Sequence, residues 1–305
     1  MDTKLFGRHQ PGGLFQVVDR EYFPGSIFWV NSSTGTDASG YGRNPDAPVA
    51  PLDYAVGLCT ADAGDVIFIM PGHAENLTTA TGVNCDISGI TIIGLGNGSL
   101  IPTFSTTAAA GSITIGAADV TIKHIKMVAN FATGTTTGVT IAAAGDGCCL
   151  DDIQFRDTSA ANEFLIHVSV ATTVTDLVLK NCSFVTAAGT MSGSVVFAGS
   201  STNTRVEDCV WYVDSSDSVV DHQTTAAVNF YMARCAIVNI DAGAAGYCLE
   251  LKTGSTGIVH DCRFGYGKAD AEVSCGDAVW WFENYASNTI AESGLLDPAT
   301  SHAIP

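Results

Sequence analysis

Charge is scarce in this sequence, and positive charge most of all. Only 14% of its 305 residues are charged, with 13 Lys and Arg against 31 Asp and Glu, which leaves a formal net charge of −18. So acidic a chain is repelled by nucleic-acid phosphates and by anionic membranes, so neither is an expected partner. Long apolar runs are missing as well. No segment reaches the ~20 apolar residues of a membrane span, and the opening MDTKLFGRHQPGG has no apolar core of the kind an export signal needs. Helical periodicity is nearly absent after about residue 60. There is no P-loop, no GxSxG and no HExxH, so phosphate cradling, serine acyl transfer and zinc hydrolysis have no recognisable motif.

What is present in quantity is Gly, at 32 residues, with Thr, Ser and Ala recurring throughout and a hydrophobic fraction of 46%. Such a chain has enough apolar material for a large core and reads as β-rich with many turns.

The strongest signal is a repeat. VTIKHIKM (120–127), CCLDDIQF (148–155), LVLKNCSF (177–184), TRVEDCVW (204–211), FYMARCAI (230–237) and GIVHDCRF (257–264) are variants of one pattern. Their sixth positions are Ile125, Ile153, Cys182, Cys209, Cys235 and Cys262, at steps of 28, 29, 27, 26 and 27 residues. The third position is always apolar and the eighth large and apolar, from Met127 through Phe155, Phe184 and Trp211 to Phe264. The fifth is polar: His124, Asp152, Asn181, Asp208, Arg234 and Asp261. A near-constant period of this size marks a solenoid, with each unit a strand, a tight polar turn and a second strand whose inward residues stack on the next unit.

The ten cysteines fit the same picture. Four of them share one repeat column, where a small apolar side chain is needed on every rung. Adjacent parallel strands lie ~4.8 Å apart, but bridging them demands strained torsions, so reduced thiols are expected.

Four regions follow. Residues 1–25 form an extended N-terminal arm in which Gly and Pro discourage regular structure. The arm is nevertheless apolar, with Leu5, Phe6, Leu14, Phe15 and Phe23, and its charges balance, so the whole −18 lies in residues 26–305. Such an arm either folds back on its own body or lies on a partner. Residues 26–75 read as an opening strand, a Gly-rich loop, a capping helix over 52–59 and a first rung. Residues 76–285 are the rungs, ended by AVWWFENY (278–285), with Trp280, Trp281 and Phe282 expected to cover the last layer. Residues 286–305 are a loose C-terminal tail.

The opening order is specific. A strand at 27–30 precedes Gly35-Thr36-Asp37, Asp46-Ala47-Pro48, the helical pattern at 52–59, Gly64-Asp65 and Met70-Pro71-Gly72. This order resembles that of right-handed parallel β-helix proteins of the pectin-lyase-like class, and Asn181-Cys182-Ser183-Phe184 is similar to their rung motif. The resemblance covers roughly residues 27–285. It implies an all-β, single-stranded, right-handed parallel β-helix with a short N-terminal capping helix, of the type found in tailed-bacteriophage virions. The same resemblance implies side-by-side homotrimers. The fold hosts lyases, hydrolases, adhesins and virion proteins, so it does not choose a function.

Candidate chemistry is sparse. The polar fifth column suits turn residues that bond neighbouring amides, and a side chain repeated on every rung serves the coil. VDSSDSVVDH gathers Asp214, Asp217, Asp221 and His222, a set that offers paired carboxylates for glycoside hydrolysis or oxygen ligands for a lyase's Ca²⁺. The competing reading is a solvated loop, since no Lys or Arg base lies near. His73 and Glu75 form a lone HxE pair. Cys148-Cys149 beside Asp151-Asp152 lacks the second half of a zinc site. Trp280-Trp281 offers a sugar-stacking platform or an end cap.

These features lead to an expected function. The chain is read as a non-enzymatic virion structural protein of a bacteriophage, a decoration or cement protein. It would be assembled in the host cytoplasm, exposed on the particle, and docked on the major capsid protein or another virion protein through Leu5, Phe6, Leu14, Phe15 and Phe23. No catalytic residue, cofactor or metal is assigned. The alternative is a tail spike or fibre component that binds or cleaves host surface polysaccharide, a lyase or hydrolase with Asp214, Asp217 and Asp221 at its centre.

Overall fold

The computed structural model describes residues 25–187, 189, 191–241, 247–266, 273–274, 278–287 and 294–295. The arm residues Leu5, Phe6, Leu14, Phe15 and Phe23, and most of the C-terminal tail, lie outside them.

The described chain is a parallel β-solenoid. Each turn visits the same columns of strands in the same order, because an apolar residue at every second strand position can only be buried by stacking on the turn before it. The first column runs from Ile27–Val30 through Val66–Ile69 and Thr91–Gly94 to Ala278–Phe282, every neighbour parallel. A sharp corner leads into a second column, from Ala74–Leu77 to Tyr285–Ser287, which belongs to the same large sheet. A third column of eight strands begins at Val83–Cys85 and ends at Val273–Ser274. A narrow fourth joins Val174–Thr175, Ser201–Thr202 and Ala227–Val228. The tail contributes Gly294–Leu295, paired antiparallel with Tyr285 and Ala286.

Register fixes the core. Ile122, Leu150, Leu179, Val206, Met232 and Val259 stack on one another in the first column and are buried. In the second column the rings stack coaxially: Phe155 on Phe184 at 5.0 Å and 8°, and Phe184 on Trp211 at 4.8 Å and 5°. Offset-stacked rings add to area burial. Trp211 Nε1 donates to Ser194 Oγ at 2.9 Å, so the buried indole keeps its partner.

The corner between these columns explains the polar fifth position. His124, Asp152, Asn181, Asp208, Arg234 and Asp261 all have φ between 54° and 56°, the left-handed region, and Glu283 continues the series at 55°. A strand can reverse its side-chain parity and bend sharply through one left-handed residue, and Asn and Asp tolerate that conformation best among residues with a Cβ. The next residue then faces inward again. Where that residue is Cys, its S–H donates back across the corner: Cys182 to the Lys180 carbonyl, Cys209 to Glu207, Cys235 to Ala233 and Cys262 to His260, at 3.2–3.3 Å. The thiol fills a small apolar slot and adds a second bond to a carbonyl that, at Glu207, Ala233 and His260, already accepts the corner N–H of the rung before. No disulfide joins any two of the nine described cysteines.

A second left-handed corner precedes the first column. Asp62, Asp119, Asp176, Asn203 and Asn229 have φ of 55–57°, and Gly89 and Gly147 take the intervening rungs at 69° and 67°. A Cβ on Gly147 would lie 2.3 Å from Asp119 Oδ1, so a larger residue there needs that carboxylate to move as well as the left-handed φ.

The N-terminal end is closed. The helix Leu52–Val56 buries Leu52, Ala55 and Val56 against the first rung and stops at Gly57, short of the expected residue 59. His73 and Glu75 anchor it. Ser32 N–H donates to His73 Nδ1 at 3.1 Å, which leaves the proton on Nε2 to donate to Glu75 Oε2 at 3.1 Å; the same oxygen accepts from Leu52 N–H at 3.0 Å. The HxE pair is therefore a tie between loop, rung and helix. Val49 covers the outer edge of Ile27–Val30 by accepting from Asn31 N–H and donating to the Trp29 carbonyl, which protects an otherwise open strand.

Candidate functional site: the outer faces of the long sheet

The acids singled out in VDSSDSVVDH are occupied, Asp217 and Asp221 within their own turns and Asp214 by a loop of the preceding rung. Asp214 Oδ2 accepts from Gly189 N–H at 3.0 Å, Asp217 Oδ1 from Ser218 N–H at 2.8 Å, and Asp221 takes both the backbone and side-chain N–H of Gln223. Asp221 is itself buried. His222 is a core residue, stacked on Phe197 at 4.5 Å; its Nδ1 donates to the Thr225 carbonyl and Nε2 accepts from Ser201. Burial holds it below the ordinary histidine range. Among the described residues no group of three or more His, Cys, Asp or Glu is arranged to hold a metal ion.

One carboxyl is strongly perturbed. Asp157 is pushed up to about 7 by burial, against the pull of bonds from Phe164 N–H and Ala187 N–H, with the nearby Glu163 charge adding to the rise. It joins two loops at the end of a second-column strand. His167 is fully buried and also strongly perturbed. Ser194 bonds its Nδ1 at 2.9 Å, Nε2 has no partner and sits among Phe155, Phe164 and Phe184, and burial lowers its pKa to about 3.

The outward ladders carry the exposed chemistry. On the second column, Val210 and Tyr212 are exposed, Ala236 and the exposed Val238 lie beside them on the next rung, and Val185 lies beside Tyr212 on the rung before. No charged residue interrupts this group. On the first column, one outward ladder reads Arg205, Tyr231, Ile258, Trp280 and its neighbour Glu207, Ala233, His260, Phe282. Trp280 is 72% exposed and Phe282 46%. Neither covers the last layer; Val279 and Trp281 face inward, and Trp281 stacks on Phe264 at 5.5 Å. Strand alternation forces that result, since neighbours point to opposite faces.

These outward groups are held in place. Tyr231 Oη bonds His260 Nε2 at 2.9 Å, His260 Nδ1 bonds Asp261 Oδ2 at 2.7 Å, and the imidazole stacks on Phe282 at 4.9 Å and 2°. The Arg205 guanidinium lies 5.1 Å over the Tyr231 ring and bonds Glu207. Arg234 bridges Glu207 and Asp208, and holds the Asp208 carboxyl below its usual range. Sequence reading singled out Trp280 but followed the inward columns, and so missed Arg205, Tyr231 and His260; the outward positions vary in kind from Trp29 and Phe68 through Lys123, Asp151 and Lys180 to His260 and Phe282.

No family model matches the sequence, and no curated protein matches it. Solved structures do. The chain is similar to a GH136 lacto-N-biosidase from Eubacterium ramulus at 10% identity and a TM-score of 0.42, over 85% of this chain and 68% of that one. It is similar to a rhamnogalacturonan lyase at 16% identity and a TM-score of 0.45, over 90% of this chain and 66% of that one.

Proposed function

We propose that this chain is a non-enzymatic structural protein of a bacteriophage virion, a decoration protein that docks on the capsid lattice. The observation that supports this reading is an uncharged patch on the outer face of the second column, bounded along the ladders by Arg156 and Arg263. Val210, Tyr212, Ala236 and Val238 form a flat apolar group on a body of net charge −18. Exposed apolar patches on a rigid scaffold mark contact surfaces, and an acidic body associates most readily where it carries no acid. The carboxylates available for a hydrolytic site are engaged in turns, which supports a scaffold over an enzyme.

In this role the protein bridges capsid subunits. The face at Val210 and Tyr212 meets a neighbouring protein, either the major capsid protein or another copy in a homotrimer, and Leu5, Phe6, Leu14, Phe15 and Phe23 of the arm lie across the joins. Each large apolar side chain fully buried contributes ~1.5–3 kcal/mol before ordering costs, and many copies on a lattice add by avidity.

The test is cosedimentation of purified protein with phage heads that lack it. Saturable binding in multiples of the capsid sites is expected, reduced by Tyr212→Glu and lost on deletion of residues 2–23. Absence of saturable binding to heads overturns the reading.

A further inference from the structure

We infer that the outer face of the last rungs is a binding site for an uncharged, hexose-based glycan, a property beyond the docking role. The platform comes first. Tyr231, Ile258 and Trp280 occupy one outward position on three successive rungs, and His260 and Phe282 the adjacent position on two. Rungs repeat at ~4.8 Å, so these side chains form a continuous apolar strip held out into water. A ring 72% exposed at the centre of a strand face, with Phe282 beside it at 46%, contributes nothing to the core.

The strip differs from the second-column face in what surrounds it. Two grooves flank it. One, of about 400 Å³, is lined by Asp176, Val178, Asn203, Arg205, Asn229 and Tyr231. The other, of about 380 Å³, is lined by Arg234, Asp261, Arg263, Glu283 and Tyr285. Both left-handed corners therefore project fixed donors and acceptors over the edges of an aromatic strip. Asn229 Nδ2 to Asn203 Oδ1 and Asn203 Nδ2 to Asp176 Oδ1, each at 2.8 Å, lock the amides in orientation. The Tyr231–His260–Asp261 chain locks the other side. Pre-oriented polar groups beside an apolar platform are what a specific small-ligand site requires.

Charge selects the ligand class. Arg205 is matched by Glu207 and Arg234 by Glu207 and Asp208, while Asp261 bonds His260 Nδ1. A polyanion would meet Glu207, Asp208, Asp261 and Glu283 on a body of net −18; a polycation would have to displace the arginines. What remains on offer is a flat apolar surface and a rim of neutral or internally paired hydrogen-bonding groups. A pyranose has the complementary form, an apolar C–H face bounded by hydroxyls that both donate and accept. Arg263 adds guanidinium donors to the second groove, where the Asp261 and Glu283 carboxylates of the same lining offset its charge.

The experiment is affinity electrophoresis of the full chain in native gels cast with dextran, galactomannan, xyloglucan or a mixed-linkage β-glucan, with polygalacturonate as the anionic arm. Retardation by at least one neutral polymer is expected. Trp280→Ala should weaken it roughly tenfold or more, as loss of a central aromatic contact does, while an unchanged thermal unfolding curve reports an intact coil. Arg263→Gln provides a second exposed variant, expected to weaken binding with the fold unchanged. Three results overturn the inference: no retardation by any neutral polymer, retardation of Trp280→Ala equal to that of the parent protein, or retardation by polygalacturonate alone. The gels contain no capsid, so failure here leaves the docking reading standing, and failure of cosedimentation leaves this one standing.

Discussion

Asn203 and Asn229 stand one above the other at the same corner of successive turns, both left-handed, with the Asn229 amide donating to the Asn203 side-chain oxygen at 2.8 Å. Each amide thus does two things: it tolerates a φ that most side chains resist, and it ties its rung to the next. The two roles separate by substitution. Asn203→Ala should destabilise the protein by about 1–2 kcal/mol, since it loses both. Asn203→Gly should cost less, because glycine keeps the conformation. Urea denaturation checks this, and equal losses in the two variants would show that the conformation is irrelevant.

The cysteine column should be chemically silent in the folded protein. Cys182, Cys209, Cys235 and Cys262 are buried, and each S–H is held on a backbone carbonyl. The thiolate is the reactive form. Alkylation followed by mass spectrometry should label these four only after denaturant is added. Rapid labelling of the native protein at neutral pH would contradict the packing described.

Asp157 gives the stability a defined pH dependence. Its folded pKa of about 7 lies above the unfolded carboxyl value, so the folded state binds the extra proton. Its contribution is fully present below about pH 4 and is lost as pH rises through about 7. Asp157→Asn removes this titration. The difference in melting temperature between parent and variant should therefore shift in favour of the variant from pH 4.5 to 7.5; a difference constant over that range would refute the assignment.

The tie at the N-terminal cap makes a local prediction. Glu75→Ala removes the acceptor shared by His73 Nε2 and Leu52 N–H. Amide exchange at residues 52–56 should accelerate, with a loss of about 1–3 kcal/mol from the orphaned groups, while the rungs near Cys235 keep their protection. Uniform acceleration through the chain would mean that the cap and coil unfold as one unit.

The coil was legible in the sequence because its inward columns repeat in kind: Leu179, Val206 and Met232 are interchangeable, and so are Phe184 and Trp211. The first corner was visible as a polar column, although nothing in Asp208 or Arg234 alone announces a left-handed φ. The second corner was hidden because glycine and Asp or Asn alternate there, at Gly147 and Asp176 for example, and two residue types answer one backbone demand. Outward positions were harder still. Packing places no demand on them, so Arg205, Tyr231 and Trp280 share no pattern that spacing reveals. The assignment of Trp280 to the last layer failed on parity: with Val279 and Trp281 inward, Trp280 has only the outer face. The polar set Asp214, Asp217 and Asp221 is near in sequence, but its partners, Gly189, Ser218 and Gln223, are set by turns no spacing records.

The near-constant period has a kinetic side. Most parallel strand partners in the coil are 22–30 residues apart, 27 for Leu179 with Val206, and the first pair, Ile27 with Val66, is 39 apart, so no contact must wait for the distant ends of the chain to meet. Loop closure then costs much the same at each step, and growth proceeds turn upon turn from whichever nucleus forms first. The closed N-terminal end offers such a nucleus, complete once residue 94 has been made. A ribosome-bound chain can thus wind as it emerges, each new turn using the exposed edge of the last as its template.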